Sequence, residues 1–129
     1  MSGAIKADGT PKEFAEQKKV IKWWHWAART YGCEPWELFH VPNGGFRNPK
    51  EAAGLYAQGV RAGYPDLALD VPRGQYHGLR IELKTVSNGK VSEAQKKWIA
   101  QLSKRGYLAV ICRGANEAIK AIEGYFTKT

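Results

Sequence analysis

Apolar residues along this chain change their spacing several times, and each change marks an element. Residues 10–31 carry them at helical intervals, with Phe14, Val20, Ile21, Trp24 and Ala28 as the expected buried stripe. Thr10 can cap that helix, Pro11 suits its first position, Glu13 can complete a capping box, and Gly32 can end it. Residues 38–41 read as a short strand stopped by Pro42-Asn43-Gly44-Gly45. Asn48-Pro49-Lys50-Glu51 starts a short helix reaching about Gln58. Strict alternation over 66–71 and 78–85, around Pro72-Arg73-Gly74, predicts a hairpin. After a loop at Ser87-Asn88-Gly89-Lys90, Ser92-Glu93-Ala94-Gln95 opens a helix that runs to Arg105 before Gly106. Residues 107–112 form a mostly apolar run, expected as a central strand, and 115–126 a final helix. The order is helix, strand, short helix, two strands, helix, strand, helix. It predicts an α/β domain with one mixed sheet and helices on its faces.

The hairpin carries a polar face where a core belongs. Strand side chains alternate, so Leu79, Ile81 and Leu83 point one way and Arg80, Glu82 and Lys84 the other. On the preceding strand Leu67, Leu69 and Val71 share a face, with Asp66, Ala68 and Asp70 opposite. Pairing of the strands brings Asp66 or Asp70 toward Glu82. Two adjacent carboxylates repel unless a proton or a cation joins them. A hard divalent cation with oxygen ligands meets that need, Mg²⁺ first. Lys84 lies about 7 Å along the strand from Glu82 on the same face, within reach of a water or phosphate oxygen there. Such a constellation suits phosphodiester hydrolysis, in which a cation activates water and neutralises charge on phosphate. An isolated Glu-x-Lys is usually surface charge. Pro65-Asp66, sixteen residues ahead of Glu82, makes this one more specific.

Composition bounds the rest. The chain of 129 residues fits a single domain, 10–129, behind a polar lead at 1–9. A net charge of +8 favours polyanionic partners. No apolar run approaches the ~20 residues needed to span a bilayer, and the N-terminus is too short and polar for a secretory signal. Cys33 and Cys112 match no metal-ligand spacing and point to a reducing compartment, hence a cytoplasmic location, with a disulfide disfavoured.

Pro65-Asp66 followed by Glu82-Leu83-Lys84 resembles the PD-(D/E)xK nuclease signature. The string Gly59-Val60-Arg61-Ala62-Gly63-Tyr64-Pro65-Asp66-Leu67, with Gln95 at the start of the next helix, resembles its VRR-NUC branch, the virus-type replication-repair nucleases. The resemblance implies a restriction-endonuclease-like αβββαβ core and a Mg²⁺- or Mn²⁺-dependent endonuclease. It implies that Asp66 and Glu82 hold the metal with the Leu83 carbonyl, that Lys84 assists the attacking water, and that Gln95 supports the site near Lys84 or a phosphate. A first-helix glutamate often completes such sites. Glu13 and Glu16 both qualify, and Glu13 is preferred, although a capping partner is its plainer role. A small standalone chain resembles phage-type members. That implies branched DNA as partner, resolution of Holliday junctions by a homodimer, and host-cell cytoplasm if phage-encoded.

Other residues divide between function and architecture. Arg61 and Lys96 are candidate phosphate contacts, as are Lys18, Lys19, Lys22, Lys97, Lys104 and Arg105. Gly59 and Gly63 suit turns with positive φ, or close approach of backbone to DNA. His40 and Asn43 could touch DNA, with a structural role favoured for the histidine. Trp24 reads as core, while Trp23 or Trp26 could serve stacking or an interface. Flap or end processing, nicking, and a non-catalytic DNA-binding module remain the alternatives.

Overall fold

The computed structural model describes residues 12–42, 48–87 and 89–127, without the side chains of Lys12 and Glu13. The expected lead at 1–9, the Thr10 cap with Pro11, the turn residues Asn43, Gly44 and Gly45, and Asn88 lie outside the described residues.

The elements are α1 (Lys12–Ala27), β1 (Leu38–His40), α2 (Pro49–Ala57), β2 (Leu67–Leu69), β3 (Leu79–Lys84), α3 (Glu93–Lys104), β4 (Leu108–Arg113) and α4 (Ala115–Thr127). Two 3₁₀ turns, Ala28–Tyr31 and Pro35–Glu37, join α1 to β1. The expected end of the first helix at Tyr31 is therefore this tighter turn, closed by Gly32 at φ 77°. Asn48 caps α2 by accepting the Glu51 N–H, and Ser92 and Gln95 form the expected capping box on α3. The strands run in the order β1-β2-β3-β4. The first two pairings are antiparallel and β3 with β4 is parallel, which makes a mixed sheet flanked by helices. With α2 inserted after β1 and α4 appended, the αβββαβ order of a restriction-endonuclease-like core is present.

Three expectations are corrected. β4 was expected at the centre of the sheet and lies at its edge. α3 and α4 both pack on it, which buries Cys112 and half-buries Leu108, Ala109 and Val110 while Ile111 stays 37% exposed. β2 is shorter than its alternation implied. Asp70 leaves the ladder to pair with Arg80, and Pro72 has no N–H to extend it. Phe14 and Ile21 were placed in the buried stripe of α1, yet they are 50% and 37% exposed. The buried arc is narrower and contains Val20, Trp24 and Ala28. At about 100° per residue, Phe14 and Ile21 fall on its rim.

One face of the sheet presents Leu67, Leu69, Leu79, Ile81 and Leu83 to α1 and α4, where Trp24, Ile122 and Phe126 complete the core. The other face carries Arg80, Glu82 and Lys84 beneath α3 and the chain leading into β2. All six residues of β3 are buried as a result. No helix among the described residues is long and apolar enough to cross a membrane.

Candidate active site

Strand register decides which aspartate meets Glu82. β2 and β3 pair Leu67 with Ile81 and Ala68 with Arg80. One step further along the same antiparallel ladder, Asp66 stands opposite Glu82. Asp66 is held at both ends. Its carboxylate Oδ2 accepts the Leu83 N–H at 2.7 Å. Its carbonyl accepts the Val41 N–H at 2.9 Å and lies 2.8 Å from His40 Nδ1, which must therefore carry the proton. His40 thus takes the structural role, as a strut for Asp66. Asp70 belongs elsewhere: it pairs with Arg80 Nη2 at 2.8 Å, and its side chain is 62% exposed.

Glu82 and Lys84 are only 3% and 7% exposed. Buried charges need partners, because desolvation otherwise outweighs any attraction. Lys84 Nζ lies 3.7 Å from Glu82 Oε2, beyond hydrogen-bond length, so the pair attracts without closing on itself. Gln95 Nε2 donates to the same Oε2 at 3.0 Å. The resemblance left Gln95 near Lys84 or a phosphate, and the geometry brings it to Glu82 instead.

Arg80 completes the buried polar face but is spoken for. It donates to the Tyr64 hydroxyl and to Asp70, each at 2.8 Å, and lies over the Tyr107 ring. Burial pulls its pKa down, but the Tyr64 hydroxyl and the Asp70 carboxylate more than offset that, so its charge is held more firmly than usual. Arg80 is thus engaged by Tyr64 and Asp70 rather than by Asp66 or Glu82.

Two glycines shape the site. Gly63 has φ +89°, and a Cβ there would meet the Ala94 backbone at 2.7 Å. It therefore lets the segment before Asp66 press onto α3, and both its positive φ and its close approach are structural. Gly89, a loop residue by its sequence, lies against Lys84: a Cβ there would come within 2.7 Å of Lys84 Cδ. Asn-Gly marked the turn, but nothing local marked the lysine beneath it.

The remaining candidates are spread around this centre. Arg61 is exposed and folds back on α2, with Nη1 on the Tyr56 carbonyl at 2.8 Å and its guanidinium 4.2 Å from the Tyr56 ring centre. Lys96 is exposed beside Glu93 at 3.3 Å. Glu16 accepts the Ala115 N–H at 2.9 Å and pairs with Lys19, so it anchors the start of α4. The side chain of Glu13 is outside the described residues. Trp24 is fully buried and Trp26 is 79% exposed.

The donor set is hard. It consists of the Asp66 carboxylate just ahead of β2, the Glu82 carboxylate on β3 and the Leu83 carbonyl. Leu83 N–H points toward β2, and a strand residue sends its N–H and C=O to the same edge, so that carbonyl faces the place where β2 has ended. Among the described residues no cluster of three or more His, Cys, Asp or Glu side chains gathers. Two carboxylates with a carbonyl suit Mg²⁺, which keeps several waters and takes only one or two carboxylates from protein.

Comparison with known proteins supplies the family. A family model described as the VRR-NUC domain matches residues 12–116. The chain belongs to the VRR-NUC family. A solved structure of a VRR_NUC domain protein superposes on it with a TM-score of 0.75 at 37% identity, covering 88% of this chain and 86% of that one. No curated protein matches the chain. Membership in the VRR-NUC family makes the protein a nuclease, and the cluster of buried Glu82 and Lys84 with half-buried Asp66 and Gln95 is its candidate active site.

Proposed function

We propose that this protein is a Mg²⁺- or Mn²⁺-dependent endonuclease that cleaves branched DNA. One observation carries the reading: Asp66, just ahead of β2, stands opposite Glu82 of β3 and accepts the Leu83 N–H, with Lys84 buried 3.7 Å from Glu82. Asp66, Glu82 and the Leu83 carbonyl would hold the cation, with Glu13 as a further candidate ligand. Bound there, the cation would lower the pKa of water and neutralise charge on the scissile phosphate.

The protein's own residues supply the rest. Lys84 orients the attacking water and stabilises negative charge that grows on the phosphate in the transition state. Gln95 keeps Glu82 Oε2 in place between its amide and Lys84. Arg61 and Lys96 grip flanking phosphates. The Lys96–Glu93 pair is exposed and weak enough for a phosphate to replace it.

A single site cuts one strand. Symmetric resolution of a four-way junction needs two, which a twofold homodimer supplies. Flap or end processing is the second reading, favoured by an aromatic, basic groove along α3.

The test is cleavage of strand-labelled four-way junction, flap and linear duplex DNA with Mg²⁺, Mn²⁺ or EDTA. Paired symmetric nicks on the junction alone, lost in EDTA, are expected. Cutting confined to flaps or ends would replace junction resolution with the second reading. Absence of metal-dependent cutting at protein levels that bind DNA would overturn the enzyme.

A further inference from the structure

A groove of about 950 Å³ separates α3 from the chain that joins α2 to β2. Tyr56 and Arg61 line it from the α2 side, and Ala94, Lys97, Trp98 and Lys104 from α3. Its end at Ala94 adjoins Gln95, which touches Glu82. From Ala94 to Lys104 the helix rises about 15 Å, so the groove runs along the full length of α3, beside the Gln95–Glu82 contact.

Its chemistry is specific. Three cations and no carboxylate stand among its lining residues, which fits a polyanion. A duplex would need only those cations, since its base faces are already stacked. The groove also offers aromatic surface. Tyr56 is 63% exposed. Trp98 is held rigidly, with Nε1 donating to the Ala62 carbonyl at 3.1 Å and its ring edge-to-face with Tyr64 at 4.8 Å. Fixed aromatic rings beside spaced cations are what unpaired bases and their phosphates bind.

We propose that this groove binds an unpaired DNA strand leaving the cleavage site along α3. Tyr56 and Trp98 stack its bases, while Lys97 and Lys104 meet its phosphates. Arg61, already over the Tyr56 ring, closes on the strand from the other side. The proposal rests on the DNA-nuclease reading for its substrate class, not on cleavage, and it favours the flap or end-processing reading, since a fully paired four-way junction offers no unpaired strand.

The test measures binding of the full chain in EDTA, by fluorescence anisotropy, to blunt duplex and to the same duplex with a single-stranded DNA tail. The tailed duplex is expected to bind about tenfold more tightly. Tyr56→Ala and Lys104→Glu are expected to remove that advantage, with melting curves showing both variants folded. Equal affinity for the two DNAs would overturn the proposal, and so would a tail preference that survives Tyr56→Ala. Stronger binding of an RNA tail than a DNA tail would overturn the choice of DNA. Tail binding without cleavage of any DNA would sink the nuclease reading alone. Metal-dependent cleavage without tail preference would sink this proposal alone.

Discussion

Gln95 ties Glu82 to a helix cap. Its Nε2 donates to Glu82 Oε2 at 3.0 Å, while its Oε1 accepts the Ser92 N–H at 2.8 Å. The amide orientation is settled twice over, since a backbone N–H requires the oxygen and a carboxylate requires the NH₂. The capping box that starts α3 therefore also aims a candidate metal ligand. Gln95→Ala is expected to lower kcat about 10- to 100-fold, as loss of a support behind a ligand typically does. Gln95→Glu is expected to be worse, because it sets a second carboxylate against Glu82. Ser92→Ala removes the cap, at about 1 kcal/mol, with a smaller loss of activity. Steady-state kinetics beside thermal melting separates these effects, and an unchanged kcat for Gln95→Ala would discard the link.

The two hairpin aspartates have different work. Asp66→Asn is expected to abolish metal-dependent cleavage and to weaken Mn²⁺ binding measured by calorimetry. Asp70→Asn loses only the mostly exposed pair with Arg80 and is expected to cost about 1 kcal/mol of stability with near-normal activity. The reverse ranking would mean that β2 and β3 pair in another register.

Lys84 acts on chemistry rather than on DNA affinity. Lys84→Ala is expected to reduce cleavage about 100-fold or more while leaving DNA binding largely intact. Gly89 controls the same lysine from above. Gly89→Ala forces a Cβ to within 2.7 Å of Lys84 Cδ, so Lys84 must move. It is expected to cost about 1 kcal/mol in folding through overpacking and to lower kcat. Full activity in Gly89→Ala would show that the position of Lys84 is not critical.

Cys112 provides a pH probe of the folded core. Burial, and then the Glu117 carboxylate, push its thiol up from 9.0 to about 11. The unfolded chain releases this proton first. The thiol's contribution to stability is therefore intact below pH 9 and is lost as pH rises toward about 11. Alkylation at pH 8 is expected to be slow in the native protein and fast in urea. Denaturant midpoints are expected to fall between pH 9 and 11, and less so in Cys112→Ala. Fast native alkylation would contradict the burial.

Much of the site could be read along the chain because its grammar is local. Alternation over residues 79–84 places Glu82 and Lys84 on one face whatever the rest of the protein does. Ser92 and Gln95 cap α3 through bonds spanning three residues. Asn48 does the same for α2. The same local logic misplaced Phe14 and Ile21, since periodicity marks the direction of a buried face but not its width. It misplaced β4 as well, because an apolar strand is equally satisfied by neighbouring strands or by covering helices.

The sequence by itself determined the α/β element order, the residue types of the site and their faces, because these follow from contacts a few residues apart. Only the tertiary structure decided that Asp66 rather than Asp70 opposes Glu82, that Tyr64 and Asp70 occupy Arg80, that Gly89 presses on Lys84, and that Tyr56 and Trp98 share one basic groove. Each of these joins segments separated in the chain. Their meeting depends on strand register and helix packing, which are set by burying both faces of the sheet at once.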